Sequence, residues 1–151
     1  MHALHLVAGT GCAVVGGVFF AFSTFVVPAL RRLPEAEAGR AVRSINAAAV
    51  RPAFMFALFG TAAACAVLGV AGARRGDARL LAGCACYLVG VVGVTLAANV
   101  PLNERLDRRQ VAFEDFAVAW SRWNHVRTLS GIGAAVLLLS DAAGRAPVPV
   151  T

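Results

Sequence analysis

The chain has 151 residues, 59% of them apolar and only 15% charged, whereas a soluble domain carries about half apolar and about a quarter charged residues. With a mean hydropathy of +0.73, this excludes an ordinary soluble domain and predicts a membrane protein. The net charge is +6 and all 14 basic residues are arginine. No aromatic-interleaved basic run accompanies them, so no nucleic-acid partner is expected; the arginines read as loop residues beside spans and lipid headgroups.

A span needs about 20 mostly apolar residues. The first such window covers about 3–27. Met1-His2-Ala3-Leu4 offers no basic leader and the apolar run is too long for a signal segment, so it reads as a membrane helix. It carries Gly9, Gly11, Gly16 and Gly17, and closes on Val27-Pro28-Ala29-Leu30-Arg31-Arg32-Leu33. The Ala-rich stretch from Pro34 to Val50 is helix-prone, with Glu35 and Glu37 well placed at a helix N-terminus. The second window covers about 52–73. The short turn Arg74-Arg75-Gly76-Asp77-Ala78 makes it an antiparallel neighbour of the third, about 79–100, which closes on Val100-Pro101-Leu102-Asn103-Glu104-Arg105-Leu106. Both closing motifs read V-P-x-x-x-R-L, and proline there marks a kink or a stop.

In the segment from Val111 to Trp123, Phe113, Phe116, Trp120 and Trp123 recur at helical spacing, which predicts an amphipathic surface or capping helix. The fourth window, about 126–143, is the weakest. Its clean apolar core runs only from Thr128 to Ser140, so it also reads as the lower part of a longer helix begun in the preceding loop. The expected fold class is therefore all-α. It is a four-helix transmembrane bundle of two hairpin halves forming one integral membrane domain, with an amphipathic helix before the fourth span. Glycine-rich helix faces favour close packing and permit self-association into a homo-oligomer.

The repeat brings both proline-marked ends, and both Asn/Val-Arg returns (Asn46 with Val50-Arg51, Asn124 with Val126-Arg127), to one membrane face, here face A. Ten arginines fall there; face B, with both termini and the 74–78 turn, has Arg74, Arg75, Arg79 and Arg145. The excess predicts a cytoplasmic face A. Arginine without lysine, among abundant Ala and Gly, suggests a GC-rich bacterial coding sequence and hence a bacterial cytoplasmic membrane.

Thr95, Asn99 and Asn103, spaced i, i+4, i+8, form one polar stripe if the helix is regular. Polar groups in spans tend to face inward and find partners. With Asn46, Arg51, Asn124 and Arg127 they read either as a pocket mouth or as helix-end caps. Nine phenylalanines and two tryptophans gather toward the same face, which suits a flat aromatic ligand or ordinary packing. Cys12, Cys65, Cys84 and Cys86 lie inside spans and read as buried small hydrophobes. There is no Glu-x-x-His pair, phosphate-binding glycine loop or nucleophile elbow. His2 and His5 near face B read as membrane-edge residues.

Asn99-Val100-Pro101-Leu102-Asn103-Glu104-Arg105-Leu106 and Trp120-Ser121-Arg122-Trp123-Asn124-His125-Val126-Arg127-Thr128 resemble the motifs of the anthrone oxygenase-like family of small four-span membrane proteins. Phe25-Val26-Val27-Pro28-Ala29-Leu30 and Ile45-Asn46 are similar to its first-half motifs. The resemblance implies an oxygenase that converts a reduced polycyclic phenol to a quinone with O2, using no metal or organic cofactor. Its partners would be a small hydrophobic aromatic substrate and the bilayer. On that reading His125 is the expected base, with Asp107 or Glu104 as alternatives. Arg51 and Arg127 would stabilise an oxyanion, and Asn46, Asn99, Asn103, Asn124, Trp120, Trp123, Phe22 and Phe25 would hold the ring system. A non-catalytic membrane module for transport, lipid binding or scaffolding is the competing class.

Overall fold

A computed structural model describes residues 1–144, and all regular structure among them is helical. Arg145, counted above on face B, lies outside the described residues. Four helices are long and apolar enough to cross a bilayer: α1 (His2–Leu30), α3 (Pro52–Arg75), α4 (Ala78–Asp107) and α5 (Phe113–Gly144), while the shorter α2 (Glu35–Ala49) lies between the first two. The outer surface fits an apolar solvent, with Phe56, Leu129 and Val89 exposed at 81%, 73% and 68%. The protein is an integral membrane protein and a helical bundle.

Each spanning helix packs against two others, in the closed order α1, α5, α4, α3. The α1–α5 contact is the most extensive, and glycine is the reason. A Cβ built on Gly131 would lie 2.9 Å from the Gly16 Cα, and one on Gly16 would lie 3.1 Å from the Gly131 carbonyl carbon. Lipid offers no hydrophobic push between helices, so such backbone contact is a main source of cohesion. Around it the core is built from residues such as Val15, Leu68, Tyr87 and Leu138. The Tyr87 hydroxyl donates to the Leu58 carbonyl at 3.1 Å and ties α4 to α3. At face B, His5 Nε2 lies 3.0 Å from Asp141 Oδ2, joining the ends of α1 and α5; His5 is fully buried there.

The two V-P motifs behave alike, and neither proline stops its helix. Each is preceded by a π-helical turn, Phe22–Val26 before Pro28 and Thr95–Asn99 before Pro101. Proline deprives the carbonyl four residues earlier of its donor, here Thr24 and Ala97, and a wider turn accommodates the ring. In each wide turn a threonine hydroxyl bonds back one turn, Thr24 to the Phe20 carbonyl at 2.8 Å and Thr95 to the Val91 carbonyl at 2.7 Å.

Beyond the proline the two halves diverge. In the first, the chain turns into α2, which packs over the face A end through Ala38 and Val42 against Leu106, Phe113 and Phe116. In the second, the segment from Phe113 to Trp123 is continuous with the fourth span, so the amphipathic stretch forms the upper turns of α5 rather than a separate surface helix. Its buried residues Phe113, Phe116, Ala117, Trp120, Asn124, Arg127, Thr128 and Gly131 keep one helical period from end to end.

The two helix ends that reverse through left-handed backbone make the same pair of bonds. After α3, Asp77 N–H donates to the Gly72 carbonyl and Gly76 N–H to that of Ala73; after α4, Gln110 N–H donates to Arg105 and Arg109 N–H to Leu106. The left-handed position holds Gly76 (φ 66°) in the first and Arg109 (φ 56°) in the second. Glycine adopts this conformation freely, whereas a side chain there costs about 1–2 kcal/mol.

Candidate functional site

At face A the helices enclose a cavity of 840 Å³, bounded by α1, α2, the start of α3, the proline-bearing end of α4 and the upper turns of α5. Its wall is mostly apolar, with Phe19, Phe22, Phe54 and Trp120 as the aromatic faces. Phe19 meets Phe54 edge-on at 6.2 Å, and Trp120 lies 5.8 Å from Phe22 and 6.2 Å from Phe116 behind it.

Arg127 is the chemical centre of this wall. It is 4% exposed, and its guanidinium stacks over the Phe19 ring at 4.1 Å and the Trp120 ring at 4.9 Å. One Nη donates to Asn124 Oδ1 at 2.7 Å and the other to Thr95 Oγ1 at 3.3 Å. Asn124 is itself fixed, because its Nδ2 donates to the Phe19 carbonyl and to Ser23 Oγ, both at 2.7 Å. The Phe19 carbonyl lies just before the first π turn and Ser23 within it. That turn, the one before Pro101 and helix α5 therefore jointly position the guanidinium.

No carboxylate pairs with Arg127 among the described residues. Burying a cation costs several kcal/mol unless something compensates. Here two neutral acceptors and two ring faces do so in part. Among the described residues, four buried polar atoms without hydrogen-bond partners belong to residues that line this cavity: Arg127 Nε, Trp120 Nε1, Asn46 Nδ2 and Asn103 Oδ1. Three are donors beside an unneutralised positive charge. Such a set suits a ligand that is flat, aromatic and negatively charged on oxygen.

Other residues expected at the site divide in two. Asn99 is buried but does not line the cavity; its Nδ2 donates to the Trp120 carbonyl at 3.2 Å and holds that helix turn. The regular stripe of Thr95, Asn99 and Asn103 is therefore broken. The π turn shifts the register, leaving Thr95 and Asn103 on the cavity and turning Asn99 away. Arg51, His125, Trp123 and Phe25 are exposed and line no part of it. Arg51 caps α3 ahead of Pro52, outside the helix. His125 lies two residues from Arg127, about 200° around the helix at 3.6 residues per turn, and has no access to the cavity. Two carboxylates do have access: Glu104 and Asp107, which with Val100 and Asn103 form one i, i+3, i+4, i+7 face of α4. Glu104 lies 3.5 Å from Arg108, whereas Asp107 has no ion-pair partner among the described residues.

A second cavity of 710 Å³ lies beside the first, between α2 and the α4–α5 connection, with Arg40, Arg43 and Arg109 on its wall. Arg43 lines both cavities. Among the described residues, no three His, Cys, Asp or Glu side chains are grouped to hold a metal ion.

Fold and site together define a class: a small four-span helical bundle with an aromatic cavity at one end, walled in part by the buried Arg127 guanidinium. The chain belongs to the anthrone oxygenase family, which it matches over residues 52–137, more than half its length. No curated relative and no solved structure matches it. The matched segment holds Asn99, Asn103, Trp120, Asn124 and Arg127, and leaves out α1 and α2, which complete the cavity wall.

Proposed function

We propose that the protein is an oxygenase that converts an anthrone-type polycyclic phenol to the corresponding quinone with O2. Family membership supports the reaction class. The observation that carries the reading to this site is Arg127, a buried guanidinium with no acid partner among the described residues, stacked between two aromatic rings on the wall of a cavity large enough for a fused three-ring system.

The ring system lies between Phe22 and Trp120 on one side and Phe54 on the other. Asp107, in place of His125, takes a proton from the ring methylene, which is acidic because the neighbouring rings and carbonyl delocalise the anion. Arg127 and Trp120 Nε1 hold the oxygen on which that charge accumulates, and Asn46 orients a phenolic hydroxyl. The electron-rich carbon adds to O2, the resulting hydroperoxide loses water, and C=O remains. One oxygen atom is retained, the other leaves as water, and the methylene carbon is the group oxidised. The excess of arginine at face A supports a cytoplasmic mouth in a bacterial inner membrane.

The test is anthrone-dependent oxygen uptake by the purified, metal-stripped protein. Turnover that disappears in Arg127→Met and Asp107→Asn supports the reading. Tight ligand binding without oxygen uptake would instead identify a non-catalytic carrier.

A further inference from the structure

The second cavity takes no part in that chemistry, yet its wall is built around cations. We propose that it is a phosphate site that holds the headgroup of an anionic phospholipid.

Three observations carry this. Arg40, Arg43 and Arg109 all line the cavity, and none has an ion-pair partner among the described residues. Glu35, the one acid on the wall among the described residues, uses an oxygen to accept the Phe113 N–H at 3.3 Å, which fastens α2 to α5. Arg43 folds back along its own helix, with Nη1 3.4 Å from where a Cβ on Gly39 would stand, so a bare glycine forms the floor beneath the guanidinium.

Arg109 provides the second, independent line. It stands where the matching turn after α3 uses glycine, in the same left-handed backbone and with the same two closing hydrogen bonds. A residue kept in an unfavourable conformation where glycine would relieve it points to a use for its side chain. The side chain here is a guanidinium beside a cavity that two others already line, and guanidinium forks match phosphate oxygens. Leu106, Val111 and Phe113 supply an apolar wall beside the arginines, as an amphiphile requires. The cavity lies at face A, level with the loops, which is the depth of the headgroups.

A lipid and a soluble phosphate share this chemistry, and the experiment separates them. The full chain, delipidated in a neutral detergent, is given phosphatidylglycerol, phosphatidylcholine or inorganic phosphate. Native mass spectrometry follows bound lipid and thermal unfolding follows stabilisation. The expected result is one retained phosphatidylglycerol with a raised unfolding temperature, and neither effect from phosphatidylcholine. Arg109→Gly should unfold no earlier than wild type without lipid, because it relieves the backbone, yet bind phosphatidylglycerol roughly tenfold more weakly, the loss of one charge-assisted contact. Arg40→Ala should weaken binding in the same direction. Wild-type affinity in Arg109→Gly, or equal retention of the two lipids, would overturn the site. Equal stabilisation by inorganic phosphate at matched concentration would overturn the lipid assignment.

Discussion

Replacing Arg127 by methionine separates the work of the guanidinium from its contribution to the fold. The change removes two hydrogen bonds from a charged donor, each about 1.5–3 kcal/mol, and two ring contacts of roughly 0.5–2 kcal/mol each. It also removes a buried cation, whose desolvation costs several kcal/mol, and an unpartnered Nε–H that costs about 1–3 kcal/mol, while leaving the buried Asn124 Oδ1 without its donor at a similar cost. These terms oppose one another, and methionine fills the same aromatic slot. Stability should therefore move by less than about 2 kcal/mol in either direction. Oxygen uptake with anthrone should fall by about 10²–10³, the usual loss when an oxyanion donor is deleted. Arg127→Lys keeps the charge but neither the fork nor the stacking plane, and should recover no more than about a tenth of wild-type turnover. Thermal unfolding in detergent and an oxygen electrode read the two effects separately. If the folded methionine variant turns over within about threefold of wild type, Arg127 does not hold the reacting oxygen. If it loses more than about 4 kcal/mol, the guanidinium is a structural clasp and the charge reasoning fails.

The base assignment separates two residues: Asp107→Asn should lower turnover by about 10²–10⁴, while His125→Ala, at an exposed position away from the cavity, should stay within about twofold in the same oxygen-uptake assay. Trp120→Phe keeps a ring against Phe22 but loses the Nε1 donor; ligand affinity should weaken roughly tenfold by fluorescence titration, without loss of fold. Two glycines two residues apart should respond oppositely. Gly131→Ala forces α1 and α5 apart at a 2.9 Å approach and should destabilise by at least about 1–3 kcal/mol. Gly133→Ala has nothing within 4 Å and should be neutral or slightly stabilising in thermal unfolding.

The bundle was legible because hydropathy alone marks four runs, and the Gly76 turn and the Pro52 helix start are local signals. The π turns were not. Proline announces a disturbed helix, but whether the chain stops, bends or widens depends on nearby hydroxyls and on the packing of neighbouring helices. One wide turn then displaced Asn99 from the stripe it shares with Thr95 and Asn103. At the site, the polar residues were legible as types at one face, but the enclosure of Arg127 rests on Thr95, Phe19 and Asn124, brought together from three helices. A usable signal was present: Trp120, Asn124, Arg127 and Gly131 keep one helical period through the polar segment. Carried through, that period puts His125 on the opposite side and makes α5 a single helix. Arg51 takes the place of Arg127 in the repeated pattern, but beside Pro52 it stands at a cap rather than on a buried face.

The spanning helices are longer than the hydrocarbon they cross. At 1.5 Å per residue the 29, 30 and 32 residues of α1, α4 and α5 extend about 44, 45 and 48 Å, against a core of about 30 Å. The surplus of α4 and α5 lies at face A, beyond the apolar windows, at the end of the bundle that holds the aromatic cavity. On the proposed function, a flat, weakly soluble phenol would reach that end by partitioning into lipid, and the protein would sample its mole fraction in the membrane. The kinetics should accordingly show surface dilution: at fixed total substrate, added detergent or lipid lowers the rate without inhibiting the protein, and the apparent KM scales with the amphiphile present.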